Sequence, residues 1–123
     1  MKIISIPEIY EENIIGFVYD GVNVKISYHY EKTLVNLIFK SVYLFDFCEF
    51  EYIDDLDWKF GLVEYVESQM LNDLFLRINS ENRDFLAFGG EADKIRHFKL
   101  TIDDVGIYNI ICKGFAMEQA SEI

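Results

Sequence analysis

Acidic side chains interleaved with aromatic ones are the most concentrated chemistry in this chain. Between Ser41 and Leu76 lie nine acids, Asp46, Glu49, Glu51, Asp54, Asp55, Asp57, Glu64, Glu67 and Asp73, against one base, Lys59. Tyr43, Phe45, Phe47, Phe50, Tyr52, Trp58, Phe60 and Tyr65 are set among them. Clustered charge of one sign steers a partner of the opposite sign and speeds its association. Tyr and Trp anchor interfaces through a large apolar body with a polar tip. The pattern points to a docking face for a basic protein. Its candidate contacts are Asp46, Glu49, Glu51, Tyr52, Asp54, Asp55, Asp57, Trp58, Glu64 and Glu67. In that reading Tyr52 and Trp58 are the aromatic anchors. Asp54, Asp55 and Asp57 pair with Lys or Arg, much as the phosphates of a nuclease substrate would. The plainer reading of the same residues is a solvated acidic surface over an aromatic core.

Other chemistry has less footing. His29 and His97 fall on the polar faces of expected strands together with Lys25 and Lys99. General acid–base work on a phosphodiester needs such a set, but a formal net charge of −11 repels that substrate. Neither a His-x-x-x-His nor a Cys-x-x-Cys spacing occurs, and Cys48 and Cys112 sit in apolar segments, as reduced core thiols do. The run Asp54-Asp55-Leu56-Asp57 fails as a calcium loop. Counted from Asp55, the fifth position is Lys59 and the sixth, where glycine is needed, is Phe60. There is no glycine-rich phosphate loop and no nucleophile elbow. The expectation is a protein without catalytic residues, cofactor or metal.

Composition bounds the rest. A chain of 123 residues, 51% hydrophobic and 16% aromatic, suits a single globular domain over residues 1–123 with a real core. The acidity, with a pI of about 4.4, argues against nucleic acid and anionic membrane surfaces as partners. The start, Met1-Lys2-Ile3-Ile4-Ser5-Ile6-Pro7, carries one basic residue and an apolar run cut by proline, which is too short for a secretory signal. With two cysteines and no long apolar span, a cytoplasmic location is expected.

The elements that must hold these residues follow from periodicity. Pro7 to Asn13 suits a short helical turn, and Asp20-Gly21 a tight one. From Val22 to Tyr30 apolar and polar residues alternate, the mark of a half-buried antiparallel strand. Glu31-Lys32-Thr33 turns the chain into a long run, Leu34 to Phe47, expected to be central in its sheet. Val35, Leu37, Phe39, Tyr43, Phe45 and Phe47 share one of its faces. Gly61 to Val66 reads as a strand. From Ser68 a helical stripe of Met70, Leu71, Leu74, Phe75 and Ile78 follows, with Ser68 as N-cap. Residues 81–93 read as a loop. Phe98, Leu100 and Ile102 alternate with His97, Lys99 and Thr101. Asp103-Asp104-Val105-Gly106 then turns into a strand from Ile107 to Phe115, with glycine at a left-handed position. Residues 116–123 read as a frayed tail. The expected fold is α+β: an antiparallel, curved or partly closed β-sheet of six to seven strands with one main helix. Phe39, Phe45, Leu74, Phe98, Leu100 and Ile110 are the expected core.

Three segments carry a family resemblance. They are Val35-Asn36-Leu37-Ile38-Phe39-Lys40-Ser41-Val42 with the acids Glu49 and Glu51, Tyr65-Val66-Glu67-Ser68 leading into Met70 to Ile78, and the closing hairpin from Arg96 to Cys112. In their order the chain resembles small acidic α+β immunity proteins encoded beside bacterial polymorphic or contact-dependent toxins. The resemblance implies a stoichiometric inhibitor that binds a toxin domain, often a basic nuclease, and blocks its active site. It implies no catalytic residues. The competing expectation is a β-domain that binds a small apolar molecule in an aromatic-lined pocket without catalysis.

Overall fold

Alternating apolar residues on either side of a two-residue turn make the β3–β4 hairpin. Strand β3 (Val24–Tyr30) and strand β4 (Thr33–Glu49) pair antiparallel from Val24↔Phe39 to Tyr30↔Thr33, with Glu31 at φ 54° in the turn. Before them come β1 (Lys2–Ile4) and β2 (Ile14–Tyr19). After them come β5 (Gly61–Tyr65), helix α1 (Gln69–Ser80), β6 (Arg96–Ile102) and β7 (Gly106–Ser121). The computed structural model describes residues 2–49, 61–80 and 95–121. The strands form one antiparallel sheet in the order β1-β5-β6-β7-β4-β3-β2. The long central strand is as expected: β4 lies between β7 and β3.

The β4/β7 ribbon is the spine. It runs from Thr33↔Ser121 to Glu49↔Gly106, with a register shift between Val42 and Leu44 and Ser41 at φ 54°. The extra residue bends the ribbon there. On one side of the bend β4 also pairs with β3. On the other, β7 pairs with β6, from Arg96↔Cys112 to Ile102↔Gly106. The two parts of the sheet turn toward each other. Phe39 on β4 meets Phe98 on β6 edge-on at 5.8 Å, and Phe17 on β2 meets Tyr108 on β7 at 5.0 Å. A flat sheet would hold β2 and β7 about 14 Å apart, three strand spacings. The sheet nevertheless stays open, with β1 and β2 as its two edges.

Residues 5–13 cross from the β1 edge to the β2 edge over the inner face. The Tyr28 hydroxyl donates to the Pro7 carbonyl at 2.6 Å, and Ile9 is buried in the core. The helical turn expected near Pro7 is a single 3-10 turn at Glu11–Asn13. Beneath this strap lie Ile26, Tyr28, Val35, Leu37, Phe39, Phe98, Leu100 and Ile110, all fully buried. Helix α1 covers part of the other face, where Leu74, with Met70 and Leu71, packs on Ile95, Ile111 and Leu44. Its N-cap is Ser68, as the sequence predicts: Oγ accepts the Leu71 N–H at 3.0 Å. Among the described residues no helix is long and apolar enough to cross a membrane.

The structure corrects some of these expectations and adds a strand to them. Phe45 is 37% exposed, with Tyr43 and Phe47 alongside it, because β4 runs on past the start of β3 and α1 lies on the opposite face, against Leu44. Residues 116–121 are no frayed tail; they pair with β4 as far as Thr33↔Ser121. In the β6–β7 turn Asp104 takes φ 61°, and Gly106, as expected, takes a positive φ, 149°. A Cβ on Gly106 would also collide with the Cys48 carbonyl oxygen and the Phe47 ring. Finally, β2 is a full strand that no alternation announces. It is set by the turn after it, where Asp20 Oδ1 accepts the N–H groups of Val22 (2.9 Å) and Asn23 (2.7 Å) and Gly21 takes φ 95°.

Candidate functional site

The outer half of β4 carries the candidate site. Past Val42, whose N–H bonds the Val22 carbonyl at 2.8 Å, the strand leaves β3 and is paired only with β7 among the described residues. Tyr43, Phe45, Phe47 and Glu49 on one face are exposed; on the other Asp46 is exposed while Leu44 lies against α1. Phe45 (5.4 Å) and Phe47 (4.6 Å) gather on the Tyr108 ring, and Phe17 meets that ring from β2. Next to them the end of β2 and the start of β3 leave a cleft of about 320 Å³, lined by Phe17, Val18, Tyr19, Val24, Val42, Tyr43, Leu44 and Phe45. Phe17, Val18 and Tyr19 are all exposed, Tyr19 by 63%. An exposed apolar cluster of this size on a sheet is more than the scattered surface hydrophobe every protein shows.

Carboxylates border it. Asp46 and Glu49 are exposed on the same strand half, and Asp20 sits in the adjoining β2–β3 turn. The two N–H groups that Asp20 accepts hold its carboxyl below the usual range. Asp103 and Asp104 are exposed in the turn leading to Gly106, which lies opposite Glu49. Of the other sequence-predicted contacts, Glu64 and Glu67 lie on the far side of the sheet order, in and after β5. Glu64 is engaged by Arg96 in a two-pronged ion pair, 2.6 and 2.7 Å, and the guanidinium holds its carboxyl below the usual range. Glu67 is exposed. Glu51, Tyr52, Asp54, Asp55, Asp57 and Trp58 lie outside the described residues.

A second constellation is polar and buried. His97, expected on a solvated strand face, is 5% exposed. Its Nδ1 lies 2.6 Å from Ser68 Oγ and its Nε2 lies 2.9 Å from Asn109 Oδ1. Tyr65 stacks on the imidazole at 4.6 Å, and Lys99 Nζ lies 5.6 Å from the Tyr65 ring centre. Burial lowers the His97 pKa; the Asn109 hydrogen bond opposes this and the Lys99 charge adds to it. The neutral ring fits every partner: Nε2–H donates to Asn109, and Nδ1 accepts the Ser68 hydroxyl. Ser68 Oγ in turn accepts the Leu71 N–H. Hydroxyl, imidazole and amide in line is the order of a nucleophilic relay. Ser68 is buried, and its Oγ both meets His97 and accepts the Leu71 N–H of α1, so the set ties the helix to the sheet. His29 is on β3, and β7 and β4 separate β3 from His97's strand, so a paired-histidine site is not assembled on adjacent strands.

No group of three or more His, Cys, Asp or Glu among the described residues is placed to hold a metal ion. Cys48 and Cys112 are free thiols. Burial pushes the Cys112 thiol up to about 12, which keeps it protonated and unreactive. The aromatic cluster is what sequence reasoning missed. Its signal is present in Tyr43, Phe45 and Phe47, which alternation places on one face, but the expected core takes in Phe45. Comparison with family models, curated proteins and solved structures returns no match.

Proposed function

We propose that the chain is a stoichiometric protein-binding module, an immunity protein that neutralises a basic toxin domain in the cytoplasm of the cell that makes both. The observation that carries the reading is the exposed aromatic cluster on an open sheet, with Glu49 exposed on the face of its rings and Asp20 in the adjoining β2–β3 turn. Aromatic groups that exclude water at the centre, ringed by charge that steers the partner, are the anatomy of a specific interface. A net charge of −11 supports a basic partner. The order of strands and helix in the sequence supports the immunity class. Inhibition of this kind needs no chemistry from the inhibitor, only a surface that covers the toxin's active site.

The test is co-expression with the variable C-terminal domain of a large secreted protein encoded next to this gene. Rescue of growth, with one-to-one co-purification, is the expected result. Killing that continues at full expression of this chain sinks the reading.

A second reading has one observation in its favour. A cleft of about 420 Å³ opens beneath the strap, with Ile3, Ile4, Ile6, Ile9, Tyr10 and Leu62 in its lining. Its size and apolar lining suit a small apolar molecule held without catalysis. A fluorescent fatty-acid analogue displaced by Ile6→Trp, with the aromatic cluster intact, separates this reading from the first.

A further inference from the structure

We propose that His97 is an acid-operated latch on helix α1. While its ring is neutral it holds Ser68 and the start of the helix on the sheet; a proton on the ring releases them. The latch goes beyond the inhibitor reading and does not depend on which partner the chain binds. It is a chain of hydrogen bonds with one direction. The Ser68 hydroxyl donates to His97 Nδ1 at 2.6 Å, Nε2–H donates to Asn109 Oδ1 at 2.9 Å, and Ser68 Oγ accepts the Leu71 N–H at 3.0 Å. In that chain Nδ1 is the atom that takes a proton near neutral pH, and once protonated it can only donate. Two hydrogens then compete for the short line between Nδ1 and Oγ. The serine hydroxyl must turn off that line inside a buried site, where a donor without an acceptor is costly.

The surroundings favour a neutral ring. Ser68 is the N-cap of a twelve-residue helix, so the positive end of the helix dipole lies against Nδ1. On β6 the flanking charges are Arg96 and Lys99, and the Lys99 charge opposes a second cation. On β5, Glu64 is taken by Arg96, with Lys2 across from it on β1. Glu67 is exposed in the turn before α1. On the helix itself Asp73 accepts from Gln69, and Arg77 is in the last turn. Asn109 Oδ1 and the Tyr65 ring face favour a charged ring, and burial opposes it more strongly. Among the described residues no carboxylate reaches the imidazole to pair with it.

The helix is the element that gives way. β6 cannot carry His97 out of the site, because Tyr65↔His97 and His97↔Ile111 tie it to a strand on each side. Among the described residues α1 is held to the sheet through side chains: Ser68 on His97, and Leu74, Met70 and Leu71 on Ile95, Ile111 and Leu44. The turn leading into it carries Val66, 79% exposed, and can hinge between Tyr65 and Ser68. Lifting the first turn of α1 gives the imidazolium water and uncovers the sides of Ile95, Ile111 and Leu44 that the helix covers. The core beneath the strap lies on the other face of the sheet and stays closed. The docked helix is therefore secure above about pH 6.5 and loosens as pH falls toward the folded value of His97.

The experiment follows the full chain by NMR as pH is lowered from 7 to 5. The carbon-bound ring protons of His97 report its proton. Amide protection, corrected for the intrinsic pH dependence of exchange, reports the helix and the β6/β7 ladder separately. The expected result is a His97 midpoint below the ordinary 6.5 and a loss of protection over α1 of at least about fivefold, with the ladder changing by less than about twofold. His97→Gln keeps a polar side chain that takes no proton and should abolish the pH dependence over α1; His29→Gln, on β3, should leave it intact. Ser68→Asp keeps a helix cap and sets a carboxylate against the ring, so it should raise the His97 midpoint and hold α1 down at pH 5. A ring that titrates, or stays neutral, with α1 unmoved overturns the proposal. So does protection lost over α1 and the ladder together, or a loss over α1 that persists in His97→Gln. A His97 midpoint unmoved by Ser68→Asp does the same. Should His97→Gln fail to fold, the unmodified chain still decides: coincident midpoints for ring and helix support the latch, and separate ones defeat it.

Discussion

The two halves of β4 have the same alternation and opposite surroundings. In the first half Val35, Leu37 and Phe39 are fully buried; in the second Tyr43, Phe45 and Phe47 are between 37% and 40% exposed. The first half lies between β3 and β7 and faces the core beneath the strap. The second has β7 on one side and, among the described residues, no strand on the other. Alternation reports which residues share a face. Whether that face is covered depends on elements distant in the chain. The difference separates a region that stabilises the fold from one whose rings stay partly exposed.

Breaking the first half should cost most. Phe39→Ala removes a ring packed against Phe98 and Phe115 and should cost about 3–5 kcal/mol, read by urea denaturation. Phe45→Ala, the same deletion on the same strand, should cost less than about half of that, because its ring is already partly wet. Equal costs would erase the comparison.

Gly106→Ala tests the outer half from the opposite strand. A methyl there strikes the Cys48 carbonyl and the Phe47 ring, so about 1–3 kcal/mol should be lost. Amide exchange should accelerate first at 45–49, with the β3/β4 ladder still protected.

Ser68→Ala removes both the cap of α1 and the hydroxyl that meets His97. A loss of about 1–2 kcal/mol is expected, with the helix melting before the sheet in a thermal scan followed by circular dichroism.

The smallest effect is on pH. His97 has a folded pKa below the ordinary 6.5, so below that value the unfolded chain binds a proton that the folded chain refuses. Stability should therefore fall as pH drops from about 6.5 toward the folded value. Glu64, lowered by Arg96, adds a separate loss at lower pH, below its ordinary 4.5 and through its folded value. A denaturation midpoint that stays flat between pH 7 and 5 would contradict the neutral, buried imidazole.

Several elements are legible in the residues because their causes are local. The β3–β4 hairpin follows from alternation on either side of Glu31-Lys32. Helix α1 follows from a stripe that starts at Ser68, and its cap bond is where the sequence places it. β2 is less legible: Ile14 to Tyr19 is apolar at nearly every position, and the Asp20 turn defines it only once β3 is in place. His97 reads as polar and exposed because alternation puts it opposite Phe98; the turn before α1 brings Ser68 over it and removes it from water. The proposed docking face was half legible: the acids Asp46 and Glu49 are exposed, while Phe17, Tyr19 and Tyr108 come beside β4 only through the bend of the sheet.

By itself the sequence determined the charge of this protein, the antiparallel character of its strands, the start of its helix and the reduced state expected of its thiols. Each depends on composition or on neighbours within about one turn or one hairpin. Tertiary structure alone decided that β4 outruns β3, and that Phe45 and Phe47 emerge from the core while His97 enters it. Those outcomes depend on where the β4/β7 ribbon bends and which strands stop short, and the bend is set by pairing between residues distant in the chain, from Thr33↔Ser121 to Glu49↔Gly106.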